Sequence, residues 1–241
     1  MKSKPAFLLI IFLVIQYFSV TFAQNSSQRI NISFNVNYTT TAKMYLNPRS
    51  SDEILRNNSV PFEKIVSPSV DVRYNLTDEL ILGLSTEFMK ETSMQPDLMV
   101  STPRGTSYLV VEDGFKLIPI ELSAHYLLPF SNDNFRLYMG GGVAYYIGEH
   151  IRKFGDVEVS NLRREFAYGI QFSVSSDYMI NKYISLRGEM KFRDPEFEVT
   201  SRYNKQTVEY QNQRLNLSQS EFISKVNVDG ITFSFGVGFH F

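Results

Sequence analysis

The chain has no cysteine and only three histidines in 241 residues. Without cysteine there is no disulfide framework, on which small exported domains commonly depend. Stability must then come from a large hydrogen-bonded backbone. His125, His150 and His240 are scattered, and no His/Cys/carboxylate group has metal-site spacing, so no metal or other cofactor is expected. Nor is there an excess of one charge: 24 Lys and Arg face 25 Asp and Glu. Nucleic acid, which favours a basic face, is not an expected partner. Also missing is an apolar run of the roughly 20 residues that a membrane helix needs. The one substantial run, "AFLLIIFLVI" from Ala6 to Ile15, is about half that length.

That run has its own meaning. Lys2 and Lys4 precede it, and "VTFAQ" follows, with Ala23 before Gln24. A charged start, a short apolar core and a small residue at the end form a secretory signal peptide, cleaved near Ala23. An uncleaved anchor helix is the alternative. No cysteine stands at the cleavage site, so the chain is not a lipoprotein. Residues 1–23 are thus expected to be the signal peptide and 24–241 one domain. Losing Lys2 and Lys4 leaves 22 of the 24 basic residues against 25 acidic ones.

What the chain does have is alternation. "RINISFNVNYT" sets Ile30, Ile32, Phe34, Val36 and Tyr38 against Asn31, Ser33, Asn35 and Asn37. Period two over such a length marks a strand with unlike faces. The pattern recurs at about 64–76, 80–91, 115–128, 135–148, 165–178, 183–193 and 226–241, which predicts eight strands. Short turns join the second to the third ("LTDE"), the fourth to the fifth ("PFSNDN") and the sixth to the seventh ("MINK"). Long polar links span 41–63, 92–114, 149–164 and 194–225. Short and long links alternate, so an up-and-down sheet carries all its long loops at one end. The link 194–225 has alternation of its own and either rises as a hairpin or hides a strand pair, making ten. Pro68, Pro119 and the Asp229–Gly230 step break the pattern and predict bulges.

Alternation alone does not separate a soluble lipocalin-type barrel from a membrane barrel. Three features favour the membrane. The polar face mixes charges with small residues such as Ser85, Ser123, Gly140, Gly142, Gly169 and Gly236, which suit a crowded interior. Aromatics gather near both predicted strand ends. Tyr74, Tyr126, Phe135, Tyr178, Tyr183, Phe239 and Phe241 lie at the short-turn end. Tyr38, Phe88, Phe115, Tyr145, Phe166 and Phe192 lie at the other. Two aromatic girdles are expected at two membrane interfaces. Only helices and closed barrels satisfy every backbone group in hydrocarbon.

Signal peptide, eight strands, one-sided long loops and the alternating finish "GITFSFGVGFHF" together resemble the small outer-membrane barrels of bacteria, the families of OmpX, OmpW and the OmpA membrane domain. The resemblance is architectural and covers the mature chain. It implies an all-β, eight-stranded antiparallel transmembrane barrel in the bacterial outer membrane. It also implies that Phe235, Val237, Phe239 and Phe241 form the terminal signature read by the barrel-assembly machinery. Outer-membrane lipid is the second implied partner.

Chemistry is expected inside. Asp71, Arg73, Glu87, Glu121, Arg136, Arg187, Glu189 and Lys191 all fall on the polar face, with Arg193 and Glu165 near the strand ends. An eight-stranded barrel is just wide enough to be filled by side chains, and buried charges must pair. These residues predict a polar plug, with a narrow conduit for small or apolar solutes as the alternative. Glu121, Ser123 and His125 share one face, the residue types of a hydrolase, but they form a row; a lipid-modifying enzyme is the weakest reading. "GGG" at Gly140–Gly142 lacks the Lys-Ser/Thr of a phosphate loop and is expected to make room for large side chains opposite. Leu98, Met99 and Val100 line the mouth for an apolar ligand or pack on other loops. Recognition of an extracellular ligand, where it occurs, would lie in these loops.

Overall fold

Turn chemistry sets the short-turn end. Thr77 Oγ1 accepts from Leu80 N at 2.9 Å, Asn132 Oδ1 from Phe135 N at 2.8 Å, and Asn181 Oδ1 from Tyr183 N at 2.8 Å. Each polar side chain stands in for a backbone acceptor and reverses the chain. These turns join the strands of the computed structural model, which describes residues 28–102, 105–205, 207–210, 213–217 and 221–241. The expected signal peptide, 1–23, lies outside the described residues.

Fourteen strands are described. They are β1 (Ile30–Tyr45), β2 (Ser59–Asn75), β3 (Leu80–Glu87), β4 (Met89–Thr102), β5 (Gly105–Leu127), β6 (Phe135–Phe154) and β7 (Val157–Arg164). Next come β8 (Ala167–Asn181), β9 (Ile184–Arg193), β10 (Glu196–Tyr203), β11 (Thr207–Tyr210), β12 (Gln213–Asn216), β13 (Phe222–Asn227) and β14 (Ile231–His240). One short helix, α1 (Glu53–Asn57), is capped by Asp52.

Eight strands close into a ring, β1–β2–β3–β5–β6–β8–β9–β14 and back to β1, all antiparallel. The eight-stranded barrel is therefore the fold, and the ten-stranded alternative falls. The closing seam pairs Asn31 with His240 through Thr39 with Thr232. Phe241 extends it, with its N–H donating to Ile30 O at 2.8 Å and its carbonyl accepting from Ile30 N at 3.2 Å. A ten-residue strand such as β14 is about 34 Å long, or ~25 Å tall at the usual tilt, which matches an outer-membrane apolar band.

The wall faces as the alternation predicts. Phe34, Val36, Leu84, Leu122, Val143 and Phe235 are exposed, while Ser33, Asn35, Asp71, Ser123 and Ser234 are buried inside. The aromatic girdles hold with one correction. Phe115 is fully buried and points inward, stacked edge-on between Phe62 and Phe197 at 5.3 and 6.5 Å.

The larger correction concerns the long links. Most of 92–114, 149–164 and 194–225 is strand, not loop. β1, β2, β5 and β6 run on beyond the membrane band, and β4, β7, β10 and β13 take the places of β3, β8, β9 and β14. A second tier of sheet thus stands on the first. Its interior is apolar: Met44, Val60, Phe62, Ile65, Met89, Phe115, Leu117, Phe197, Val199, Val226 and Val228 form one core. Among the described residues no ladder joins β2 to β4; the bond from Phe88 N to Pro68 O, 3.0 Å, is where their connection begins. Among the described residues the hairpin β11–β12 pairs only with itself. Side chains of Leu98, Met99 and Val100, at its neighbour β4, lie outside the described residues.

The expected bulges are corrected too. Pro68 pairs with Val36, and Pro119 with Tyr146, without any register shift. Instead, the change from β3 to β4 falls opposite Pro119, whose missing N–H would have left a ladder bond unmade. At Asp229–Gly230 the inward set is continuous: Val226, Val228, Thr232 and Ser234 are all buried. The apparent break arises because the interior itself changes from polar to apolar. The true change of phase is on β1 and β2. Inward residues are Asn37 and Thr39, then Ala42 and Met44; across from them, Ile65 and Ser67, then Phe62 and Val60. Lys64, at φ 58°, absorbs the step in a left-handed conformation that costs an L-residue roughly 1 kcal/mol.

Candidate functional site

A strand repeats its facing every second residue, about 7 Å apart. β9 therefore stacks Arg187, Glu189, Lys191 and Arg193 as a column of alternate residues on the lumen wall. Neighbouring strands supply their partners, in two clusters.

The lower cluster lies toward the short turns. Arg187 grips Asp177 with both forks, Nε to Oδ1 at 2.7 Å and Nη2 to Oδ2 at 2.8 Å. It also donates to Asp71 Oδ1 at 2.9 Å, Asn31 Oδ1 at 2.7 Å and Ser33 Oγ at 3.0 Å. Arg73 donates to the same Asp71 Oδ1 at 2.9 Å, to Glu189 Oε2 at 2.7 Å and to Ser175 Oγ at 3.2 Å. The upper cluster joins Arg193 to Glu121 at 2.9 Å and to Glu87 at 2.6 Å. Lys191 also binds Glu121, Ser85 donates to Glu121 at 3.0 Å, and Ser67 caps Glu87. Bidentate and charge-assisted bonds of this kind are the strong ones. In both clusters every carboxylate meets a cation.

Seven of the eight expected network residues join these two clusters. Arg136 does not; it lines a polar cavity of about 430 Å³ at the short-turn mouth, together with Arg29, Asp78, Asp133, Tyr138 and His240. Glu165 is corrected: it is exposed and binds Arg49 at 2.9 Å outside. Asp177 went unnoticed in the sequence, although the inward series Gln171, Ser173, Ser175 on β8 leads directly to it. Of the three glycines Gly140–Gly142, Gly140 alone makes room for a large side chain, the His125 ring; at Gly142 an added carbon would strike the Leu122–Ser123 backbone, and at Gly141 its nearest neighbour is the Gln171 carbonyl. Ser123 Oγ lies 2.9 Å from His125 Nε2. Glu121, however, is engaged by Lys191 and Arg193, and both Ser123 and His125 are buried. Among the described residues no carboxylate orients the imidazole, so the row does not become a triad there.

Above the charges the apolar core fills the second tier. A further buried group sits higher, unseen in the sequence because its members fall in three presumed loops. Arg152 holds Asp113 with Nε at 2.6 Å and Nη2 at 2.7 Å, and donates to Tyr203 OH at 3.3 Å. His150 Nε2 stands 3.4 Å from Asp113. Burial pushes the Asp113 carboxyl up, but the bonds from His150 and Arg152 outweigh it and hold it below the ordinary carboxylate range. Burial pushes the His150 imidazole down, and the Arg152 charge adds to this. Asn161 bridges β6 and β7 where their ladder is interrupted, accepting from His150 N and donating to His150 O, both at 3.1 Å. A second apolar group, with Val111, Phe154, Val157 and Val208, covers this one.

The interior is thus layered: polar mouth, ion pairs, apolar core, one buried Asp–Arg–His group and a second apolar cap. A family model, the OmpW family, matches residues 23–241. No curated protein matches the chain. Among solved structures, the outer membrane protein OprG from Pseudomonas aeruginosa aligns with a TM-score of 0.58 at 14% identity, over 89% of this chain and 96% of that one. Neisserial surface protein A aligns at 0.47 and 14%, covering 88% and 97%. The E. coli Outer Membrane Protein W aligns at 0.41 and 16%, covering 90% and 100%. At such identities the likeness to OprG speaks for the fold alone.

Proposed function

Because this chain belongs to the OmpW family and is a bacterial outer-membrane barrel, we propose that it works there as a non-catalytic barrel with a closed polar lumen, and that its tall outer tier is the surface for recognition. The observation that carries this reading is the pair of ion-pair clusters, Asp71–Arg73–Asp177–Arg187–Glu189 and Glu87–Glu121–Lys191–Arg193. Water-filled passage would require charges held at 2.6–2.9 Å to separate. Reconstituted in planar bilayers, the protein should show no steady conductance. Steady openings that vanish on Arg187→Ala would overturn the plug.

A second reading is favoured by a separate feature. The apolar interior of the outer tier meets the β2/β4 seam, which has no ladder, beside the exposed Phe88. Small apolar solutes entering from the tier would leave sideways there, at membrane level, without crossing the charges. An apolar fluorophore should then bind the purified protein and be lost on Met89→Arg; no binding at all would leave the closed barrel alone. Catalysis is the least supported role. Lipid hydrolysis abolished by His125→Ala would restore it.

A further inference from the structure

The outer face of the second tier carries a charge arrangement that the sheet itself does not favour. On β4 and β5, Lys90 and Lys116 are direct cross-strand partners. Both point outward: Lys90 shares its face with the exposed Phe88, and Lys116 shares its face with the exposed Ile120. Like charges directly opposite in a sheet are destabilising. The next residue in the same row, Glu149 on β6, pairs across from Lys116. It already receives Arg164 and lies 3.6 Å from Lys116 Nζ. Lys153 nearby is taken by Glu158 at 2.8 Å. One carboxylate therefore serves Lys116 and Arg164, and Lys90 has no acidic partner among the described residues. A groove of about 380 Å³ runs among Phe88, Lys90, Lys116, Glu149 and Lys153.

Depth identifies the missing anion. Phe88 belongs to the outer aromatic girdle, and Lys116 Nζ sits 5.5 Å over its ring. Lys90 stands two residues beyond Phe88, about 7 Å along the strand and less along the membrane normal. A headgroup layer is roughly 5–8 Å deep on each side of the hydrocarbon. The lysine pair thus lies at the depth of lipid phosphates, with its aromatic floor at the top of the acyl chains.

We propose that Lys90 and Lys116 form a binding site on the barrel wall for the phosphorylated headgroup of an outer-leaflet lipid. The phosphate oxygens would accept from the ammonium groups of this cross-strand pair, and the first acyl segment would lie against Phe88. Each cation near an anionic membrane surface strengthens binding by about fivefold.

The test uses the full chain in detergent and in nanodiscs. Bis-phosphorylated lipid A is the probe, with its dephosphorylated form as comparison, and retention is read by native mass spectrometry. The phosphorylated lipid should be retained and the dephosphorylated one lost. Lys90→Gln with Lys116→Gln should weaken retention by about 25-fold, whereas Lys182→Gln at the opposite end should leave it unchanged. In lipid-free detergent the double variant should be at least as heat-stable as the parent, because a repulsion has been removed. Equal retention of both lipids, or retention indifferent to the double variant, overturns the proposal. So does a double variant that is less stable without lipid, since the lysines would then serve the sheet. Displacement by inorganic phosphate as readily as by lipid A would mean a free-phosphate site and likewise overturns it.

Discussion

Asp177 takes both forks of Arg187, and Arg187 in turn reaches Asp71, Asn31 and Ser33. Removing one member of a buried pair strands the other charge, at a cost of about 3–5 kcal/mol. Asp177→Ala and Arg187→Ala should each lower stability by about that much in urea titrations of the micelle-bound protein. The double variant should cost less than the two added together, because no stranded charge remains from their shared bond. Additive losses would mean that the pair does not couple. Higher up, Asp113 and His150 make the outer tier sensitive to acid. Asp113 has a lowered folded-state value, so it adds stability above about pH 4 that is lost as the pH falls further. His150 also has a lowered value, facing Asp113, Arg152 and the ring of Phe222. Below about pH 6.5 the unfolded chain takes up a proton there that the folded chain refuses, so stability already falls through that window. Protection factors of β5–β7 amides, corrected for the intrinsic exchange rate at each pH, should therefore fall between pH 7 and 5, and His150→Phe should flatten the change.

Among the elements, β14 is the seam. Phe241 contributes two backbone bonds to Ile30, while the residue as a whole is 63% exposed. Phe241→Ala keeps the bonds and removes only the ring. The resemblance to known barrels assigns that ring to the assembly machinery, with Phe235, Val237 and Phe239 before it. Phe241→Ala should thus insert poorly in cells yet refold normally in detergent, whereas deleting the residue should impair both. Equal losses from both changes would mean that the ring serves packing alone. β10 also rests on β6 where Phe197 covers Gly148 so closely that an added carbon would overlap the ring. Gly148→Ala should cost about 1–3 kcal/mol by overpacking and loosen β10 first, as read by proteolysis within 194–205.

For the molecule as a whole, solvent decides what the chain displays. Leu122 lies outward at mid-barrel, 58% exposed. If lipid surrounds it, Leu122→Arg costs roughly 2–4 kcal/mol, measured by refolding into bilayers; a change near zero would mean that water bathes this face. The uniform apolar solvent is also why this part of the fold was legible. Every outward position from Phe34 to Phe235 must be apolar, so eight runs of alternation stand out. The outer tier has no such solvent. Its outward residues mix charges with exposed Met94, Val110 and Leu162, its inward ones are mostly apolar, and the phase slips at Lys64. Asp113 and Arg152 therefore read as loop, and Phe115 as girdle.

By itself the sequence determined the strand periodicity, the closed antiparallel barrel and most of the lumen-facing residues of the membrane band, because facing repeats along one strand and needs no knowledge of neighbours. Only the tertiary structure decided who meets whom. Glu121 finds Lys191 and Arg193 across the lumen, Asp177 finds Arg187 one strand away, and Asp113 finds Arg152 in a tier the sequence had not revealed. Those pairings depend on register and closure, which fix the height of each strand against the next, and height is a property of the ring and not of any one segment.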